Sequence, residues 1–303
     1  VDICDKFLKK DQLVVSTKGR DVTSEKKYFS DEEPIVTGDV KIIVLINGGS
    51  ASASEIVAGA LQDHDRAVIL GTRSFGKGLV QTITPLSYNT SLKITTAKYY
   101  TPSGRCIQKV DYSEGSDIIK SDSSEPDDKF FTDNQREVFS RGGITPDTTV
   151  EFEIIGELTK DLLAKGYFFK FANHYHFNNP DINFSSLDEE NLFNEFNSYL
   201  LNDDFKYRSK AELEVDILIK GAENQADILS DLQKIKKDLS GLFEKEMKIY
   251  QEEIVREIKS ELASRYLGME GRIEEQLNYD IQIQAALEVI KSSETYIKLL
   301  NFH

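Results

Sequence analysis

The sequence predicts an α/β unit over residues 1–152, followed by an α-helical region over residues 153–303. Most of the glycines and short apolar runs fall in the first half. A segment with helical spacing separates two of these runs, and β-α-β alternation is typical of an α/β core. In the second half, helix-capping patterns and a helical apolar stripe replace the runs.

Four apolar runs predict the strands of the first half: QLVVST, KIIVLIN, RAVILG and LVQTIT. Each is short and rich in β-branched residues, as strands usually are. A helix is predicted over residues 52–64, between the second and third runs. Between residues 109 and 135 the chain is polar and acidic, which predicts an exposed, mobile loop.

The second half carries two capping boxes, in which a serine precedes a glutamate by three residues. Ser186 pairs with Glu189 in the first, and Ser209 with Glu212 in the second. An apolar stripe with four-three spacing then follows: Ile228, Leu232, Ile235, Leu239 and Leu242. Such a stripe packs either on its own domain or on a partner helix in a coiled coil. Packing on its own domain is favoured, because the stripe covers two heptads and a coiled coil needs three or more.

The composition argues against several classes of protein. The formal net charge is -15, from 37 basic and 52 acidic side chains, and such a surface repels nucleic acid. No apolar run approaches the roughly 20 residues of a membrane-spanning helix. Cys4 and Cys106 are too far apart for a C-x-x-C motif and are predicted to be two buried or unreactive thiols.

The chain opens with VDICDKFLKK, without an initiator methionine. Val1, Cys4 and Leu8 share one helical face, which is typical of the later part of a helix. We therefore expect a fragment of a longer protein, whose location a missing signal sequence does not reveal.

The stretch GTRSFGKGLV, residues 71–80, has the G-x-x-x-x-G-K spacing of a phosphate-binding loop. Such a loop opens a helix, and its lysine is followed by Ser or Thr. Here Lys77 is followed by Gly78 and then by LVQTIT, which alternates like a strand. The pattern argues against a nucleotide site and leaves Lys77 as a surface residue in a turn, or as a group for other chemistry.

Three serines, Ser50, Ser52 and Ser54, lie near the start of the predicted helix in NGGSASASEIVAGALQD. Ser52 and Glu55 form a capping box, and a serine in this place usually acts only as a cap. The same geometry places a hydroxyl beside unpaired amides at the positive end of a helix dipole. Because those amides stabilise a developing oxyanion, the serine is also suited to be an acyl-transfer nucleophile.

A nucleophilic serine needs a base, and the histidines are poorly placed to be one. His64 ends the same helix, roughly 18 Å from Ser52 at the helical rise, and His174 and His176 lie in the helical half. A lysine acts as a base only where burial lowers its pKa. Lys77 lies between two glycines and two apolar strands, where its amine could be buried, and Gln81 on the next strand could orient it.

Together these motifs resemble the carboxy-terminal processing peptidases, also called tail-specific proteases. SASASEI, AGALQD and FGKGLVQ follow in the order and spacing of that family, and TTAKYYTPSGRCIQ and GGITPD continue the match. The resemblance covers roughly residues 1–150. It implies a partial ClpP/crotonase-like α/β protease core over residues 1–152, followed by an α-helical C-terminal domain.

The resemblance also implies roles for single residues. The middle serine of the SASAS run is the family's nucleophile, here Ser52, and the lysine of FGKG is its general base, here Lys77. Gln81 would position the lysine, and the amide of Ala53 would form half of the oxyanion hole. An acidic third residue has been discussed for some members, but Asp63 lies roughly 16 Å along the helix from the serine, and we expect a structural role for it.

Two parts of the family are missing from this sequence. One is a D-L-R-x-N-P-G-G turn that completes the oxyanion hole, and the other is an upstream PDZ domain that reads the substrate C-terminus. Because losing one oxyanion donor costs about 10²–10³ in rate, the chain alone is expected to be inactive or nearly so.

The resemblance thus implies a serine endopeptidase that forms an acyl-enzyme and cuts proteins near their C-termini, with protein or peptide substrates whose C-termini are apolar. No cofactor or metal is implied. By resemblance, the parent protein is bacterial and works in the cell envelope, periplasmic or membrane-associated. The helical domain could form a homodimer, cover the substrate channel or bind an adaptor. The alternative is a non-catalytic scaffold whose helical domain binds a partner.

Overall fold

The computed structural model describes residues 1–20, 25–109, 128–140, 142–222, 225–239 and 241–301. The chain divides into two compact units, Val1–Phe152 with Ile281–His303, and Glu153–Asp280. The first unit mixes strands and helices, and the second is helical, so the predicted α/β core and helical domain are confirmed. Residues 281–303, which we expected in the helical extension, belong to the first unit instead.

The described strands of the first unit form three sheets. β2, β1, β6 and β5 lie side by side as an antiparallel sheet, β3, β4 and β9 form a parallel sheet, and β7 pairs with β8. Helix α1 (Ala53–Asp63) connects β3 to β4. The strands are β1 (Leu13–Gly19), β2 (Lys26–Phe29), β3 (Ile43–Ile46), β4 (Val68–Gly71), β5 (Leu79–Pro85), β6 (Ser91–Tyr100), β7 (Lys129–Phe131), β8 (Glu137–Phe139) and β9 (Thr148–Thr149).

The parallel β3–α1–β4 segment positions the candidate site. Helix α1 buries Ala58 and Leu61, which are three residues apart and therefore share a face. Ala58 packs with Ile46 of β3 and Ile69 of β4 in one apolar cluster. This packing holds the start of α1 against the carboxyl end of β3, where the serine run of the sequence lies.

The second unit contains eight described helices around an aromatic core. Phe168 stacks on Phe196 with 5.3 Å between ring centroids, and Phe171 meets Phe196 edge to face at 5.1 Å. The helices are α2 (Glu157–Ala164), α3 (Tyr167–Asn178), α4 (Glu189–Asn202), α5 (Lys210–Gly221), α6 (Ala226–Leu239), α7 (Leu242–Ile249), α8 (Gln251–Tyr266) and α9 (Gly268–Leu277).

One of the two predicted caps is correct. Ser209 caps α5, and its hydroxyl accepts the Glu212 amide at 3.2 Å. The prediction that Ser186 caps the helix that follows it, α4, is wrong. Ser186 ends a 3₁₀ turn, and Asp188 caps α4. The Asp188 carboxylate accepts the Asn191 amide at 2.8 Å.

The predicted apolar stripe is divided between two helices. Its last member, Leu242, begins α7, and the others lie on α6. Helix α6 has no buried residue, and Ile228 and Ile235 are 49% and 47% exposed. The stripe therefore does not form the core contact that the sequence favoured.

Two helices at the end of the chain, α10 (Ile281–Lys291) and α11 (Ser293–Leu299), pack in the first unit at β3. The Tyr296 hydroxyl accepts the Ile42 amide at 2.9 Å and donates to the Ile42 carbonyl at 3.1 Å. The Lys41 ammonium donates to the Ile290 carbonyl at 2.7 Å. The edge of β3 is thus closed by side chains and helices from a distant part of the chain.

The structure tests two further expectations only in part, the mobile loop and the two thiols. Residues 110–127 of the predicted mobile loop lie outside the described residues, and its last part forms strand β7 and the turn into β8. Cys4 is buried and Cys106 partly exposed, and neither forms a disulfide within the part of the chain that the structure describes. Burial raises the pKa of the Cys4 thiol.

Candidate active site

Ser52 lies where β3 passes into α1, after a tight polar turn. The Asn47 side chain accepts the Gly49 amide at 2.8 Å, and the Ser50 amide donates to the Asn47 carbonyl at 2.8 Å. These bonds use Ser50 to build the turn, and Ser54 lies within the helix. Ser52 is the serine that immediately precedes the first residue of α1.

The backbone of Ser52 is strained, with φ at 57° and ψ at -114°. A non-glycine residue in such a sparsely populated region costs on the order of 1–3 kcal/mol, and such residues cluster at functional sites. The next residue, Ala53, is exposed and begins the helix. Among the described residues no acceptor pairs with the Ala53 amide, so this donor is available beside the serine.

Lys77 lies in the connection between β4 and β5. A strand follows it, as predicted, and the helix of a phosphate-binding loop is missing at this place. The Lys77 side chain is exposed, so the expectation that it is buried is wrong for the described residues. The flanking glycines serve another purpose: a Cβ at Gly76 would lie 2.7 Å from Lys109 Cβ, and one at Gly78 would lie 2.9 Å from the Gln108 amide.

Ser52 and Lys77 are joined through Glu55, not by a direct bond. Glu55 is fully buried in the first turn of α1. Its Oε2 accepts the Ser52 amide at 2.9 Å and the Lys77 amide at 2.8 Å. Within the described part of the chain, no hydrogen bond links Ser52 Oγ to Lys77 Nζ. One carboxylate oxygen thus fixes the backbones of both candidate residues.

The other oxygen of Glu55 completes this arrangement. Oε1 accepts the Gly76 amide at 2.7 Å and the Ser74 hydroxyl at 2.5 Å. Four donors therefore meet one buried carboxylate. In the sequence Glu55 is recognisable only as part of a helix cap, because the Ser52–Glu55 spacing is a local signal and gives no information about residues 74–77.

Gln81 lies on β5, beside a bulge between Val80 and Gln81. Its side chain is exposed and no described hydrogen bond joins it to Lys77. The predicted positioning contact is therefore not formed in this structure.

Asp63 has the structural environment that the sequence predicted for it. It lies at the last position of α1, and its carboxylate meets Arg105 at 2.8 Å, with both side chains 1% exposed. It also accepts the Ser103 amide at 2.9 Å. Desolvation lowers the pKa of the Arg105 guanidinium, and the Asp63 carboxylate opposes that shift. The pair supports the end of α1 that is remote from Ser52.

The geometry can support acyl transfer in a specific way. Acyl transfer requires a nucleophile, an oxyanion donor and a base. The site offers a candidate for each: a strained serine at a helix start, an amide beside it without an acceptor among the described residues, and a lysine on a turn fixed to the same carboxylate. Among the described residues, no cluster of three His, Cys, Asp or Glu side chains is arranged to hold a metal ion.

Comparisons with known families match both units. Residues 1–115 match the family model described as Peptidase family S41. Residues 158–290 match the model described as the C-terminal helical domain of a probable PDZ-protease. The predicted resemblance to carboxy-terminal processing peptidases is confirmed.

Individual relatives are longer than this chain. It is 57% identical over 110 residues to a carboxy-terminal-processing protease of Bartonella bacilliformis, a match that covers 36% of this chain and 25% of the relative. It is 42% identical over 100 residues to a carboxyl-terminal-processing protease of Synechocystis, covering 33% and 23%. A solved photosystem II D1 C-terminal processing protease is 28% identical, with a TM-score of 0.36 and coverage of 50% and 30%. The chain spans about a quarter of the length of the curated relatives it matches.

Proposed function

We propose that the protein containing this peptidase family S41 segment is a serine endopeptidase in which Ser52 is the nucleophile and Lys77 the general base. The observation that carries the proposal is the buried Glu55 carboxylate, which holds the amides of both residues. Such a shared anchor sets the relative position of two groups that must react together.

The reaction runs through an acyl-enzyme. Lys77 Nζ takes the proton of Ser52 Oγ as the oxygen attacks the substrate carbonyl carbon, and the Ala53 amide binds the oxyanion that forms. The lysine ammonium then gives the proton to the departing amine as the C–N bond breaks. Water hydrolyses the remaining ester and releases the shortened protein. Gln81 would orient Lys77 once the two side chains approach, since catalytic hydrogen bonds often tighten only around substrate.

Substrates with apolar C-termini fit the surroundings of Ala53. A cavity of about 600 Å³ opens beside it within the first unit. Apolar side chains from α1 and the antiparallel sheet contribute to its lining, among them Val15, Ile56, Val57 and Val80. Burial of an apolar substrate side chain here would contribute about 25 cal/mol per Å² of area removed from water.

The isolated 303-residue chain is proposed to cleave peptides poorly. The exposed Lys77 amine is not bonded to Ser52, and the Ala53 amide is the one oxyanion donor that we assign among the described residues. Loss of one such donor costs about 10²–10³ in rate. Robust cleavage of an apolar-ended peptide by the purified chain would refute this part of the proposal.

The peptidase proposal is tested in the complete natural protein with Ser52→Ala and Lys77→Ala. Each should abolish cleavage of an apolar-ended peptide, as followed by mass spectrometry, while circular dichroism shows an unchanged fold. Ser54→Ala and Lys93→Ala are matched controls, because both residues are exposed in the same unit, and both should retain activity. Unchanged activity in either dyad variant favours the alternative, a non-catalytic scaffold.

A homodimer through the helical domain is the second part of the proposal. On α5, Leu213, Ile217 and Leu218 are 45%, 69% and 56% exposed, and the half-exposed stripe of α6 lies in the same unit. The mass of the chain in solution, compared with that of an Ile217→Glu variant, tests it. A monomeric mass for the unmodified chain at micromolar concentration contradicts this assignment.

Location in the bacterial cell envelope, periplasmic or membrane-associated, is proposed by similarity to bacterial processing proteases. Across the described residues, every helix is too short or too polar to span a bilayer. Fractionation of cells that express the complete natural protein tests the location, and recovery in the cytosol alone contradicts it.

A further inference from the structure

A buried serine lies behind the proposed site. Ser74 is 6% exposed, and its hydroxyl oxygen accepts the Ile144 amide at 2.6 Å. Because this amide occupies a lone pair, the hydroxyl proton remains for Glu55 Oε1, which lies 2.5 Å away. Ser74 therefore connects the segment around Ile144 to the carboxylate that holds Ser52 and Lys77.

The segment that Ser74 contacts is packed closely against the lysine turn. The Ser74 amide donates to the Ile144 carbonyl at 3.1 Å, so the two segments are joined through both backbone and side chain. Gly143 has φ at +93°, and a Cβ there would lie 2.5 Å from Ser74 Oγ. Only a glycine allows this approach, which places the GGITPD motif directly behind the site.

We propose that Ser74 is a positioning residue of the peptidase, acting through Glu55. Its hydroxyl orients the carboxylate and ties it to residues 142–144, so that the Ser52 and Lys77 amides meet a fixed Oε2. Ser74 contacts neither substrate nor the reacting atoms, and its effect is on the alignment of the dyad. The inference rests on the proposed roles of Ser52 and Lys77.

The test is Ser74→Ala in the complete natural protein, with kcat and KM measured on an apolar-ended peptide. The expected result is a fall in kcat on the order of 10-fold to 100-fold, because small displacements of reacting groups have effects of this size. KM should stay within about twofold, since an alignment defect acts on the chemical step and leaves ground-state binding intact. Ser74→Thr keeps the hydroxyl and should restore most of kcat.

Ser140→Ala is the matched control. Ser140 is 4% exposed and its hydroxyl has no partner among the described residues, so its removal should leave kcat unchanged. If Ser74→Ala does not fold, Ser74→Cys takes its place, because a thiol of similar size donates only weakly. It should show the same loss of kcat.

Three outcomes would overturn the role of Ser74: a kcat within twofold of the natural protein, a loss confined to KM, or a folded threonine variant as slow as the alanine variant. Ser52→Ala is measured in the same series to separate the two ideas. If Ser52→Ala is inactive and Ser74→Ala is normal, only the positioning role fails. If Ser52→Ala stays active, the peptidase assignment itself fails.

Discussion

Replacement of Glu55 by glutamine tests how much of the first unit depends on one carboxylate. An amide nitrogen is a donor, and every group that faces Glu55 is a donor too. The glutamine side chain can place its nitrogen either toward Ser52 and Lys77 or toward Gly76 and Ser74. The second orientation costs less, and in it the Gly76 amide loses its acceptor. The Ser74 hydroxyl can then accept from the amide, but its own proton is left without a partner.

This change removes about two hydrogen bonds to a charged acceptor. At roughly 1.5–3 kcal/mol for each, Glu55→Gln should lower the free energy of unfolding by about 3–6 kcal/mol. Urea denaturation of the 303-residue chain, followed by circular dichroism, measures the loss. In the complete natural protein the same variant should also lose cleavage, because Gly76 and Ser74 no longer hold in place the side chain that anchors the Ser52 and Lys77 amides.

Glu288→Gln is the matched control, since Glu288 is exposed on α10 in the same unit. Its effect should stay within about 0.5 kcal/mol. A loss below about 1 kcal/mol for Glu55→Gln, together with normal cleavage, would show that the four hydrogen bonds do not have the role assigned to them.

Three further predictions concern stability and reactivity. Tyr296→Phe should lower the free energy of unfolding by about 1–3 kcal/mol in urea, because it removes the acceptor of the Ile42 amide beside β3, whereas Tyr88→Phe, at a side chain 98% exposed, should have no measurable effect. Gly143→Ala should lower the melting temperature far more than Gly166→Ala. Both glycines have positive φ, but of the two only Gly143 lacks room for a Cβ, so equal shifts in melting temperature would contradict the close packing of Gly143 on Ser74. Cys4 should resist a thiol reagent at pH 8 until the chain unfolds. The pKa of Cys4 is raised in the folded chain, so the thiol of the unfolded chain ionises at lower pH. Its contribution to stability should therefore fall as the pH rises above 9.0, the ordinary pKa of a cysteine. Rapid labelling of Cys4 in the native chain would contradict its burial and, with it, the raised pKa.

The local parts of this structure could be read from the sequence. The strands at Ile43–Ile46 and Val68–Gly71 are short β-branched runs, and α1 begins at the serine run, so neighbouring residues were enough to place them. The second role of Glu55 could not be read in this way. Its contacts with Ser74 and Gly76 join residues about twenty positions apart, and such contacts leave no periodic pattern.

Two errors have similar physical causes. The glycines beside Lys77 do not bury its amine, but leave room for Gln108 and Lys109, and no local pattern in the sequence indicates that approach. Ser and Asp are both good caps, so Ser186 and Asp188, two residues later, satisfy the same local rule, and Asp188 is the one that caps α4. Where several residues satisfy one local rule, the tertiary path of the chain decides between them.

The return of α10 and α11 to the first unit has a consequence for the order of synthesis. The residues of β3 are translated before the second unit, whereas Tyr296 is translated only after the whole second unit. At about 5–20 residues per second, that delay is on the order of 10 s. During this time the edge of β3 lacks the contacts from α10 and α11, so the turn before Ser52 is assembled on an incomplete sheet edge. The first unit would thus remain incomplete until α10 and α11 have left the ribosome.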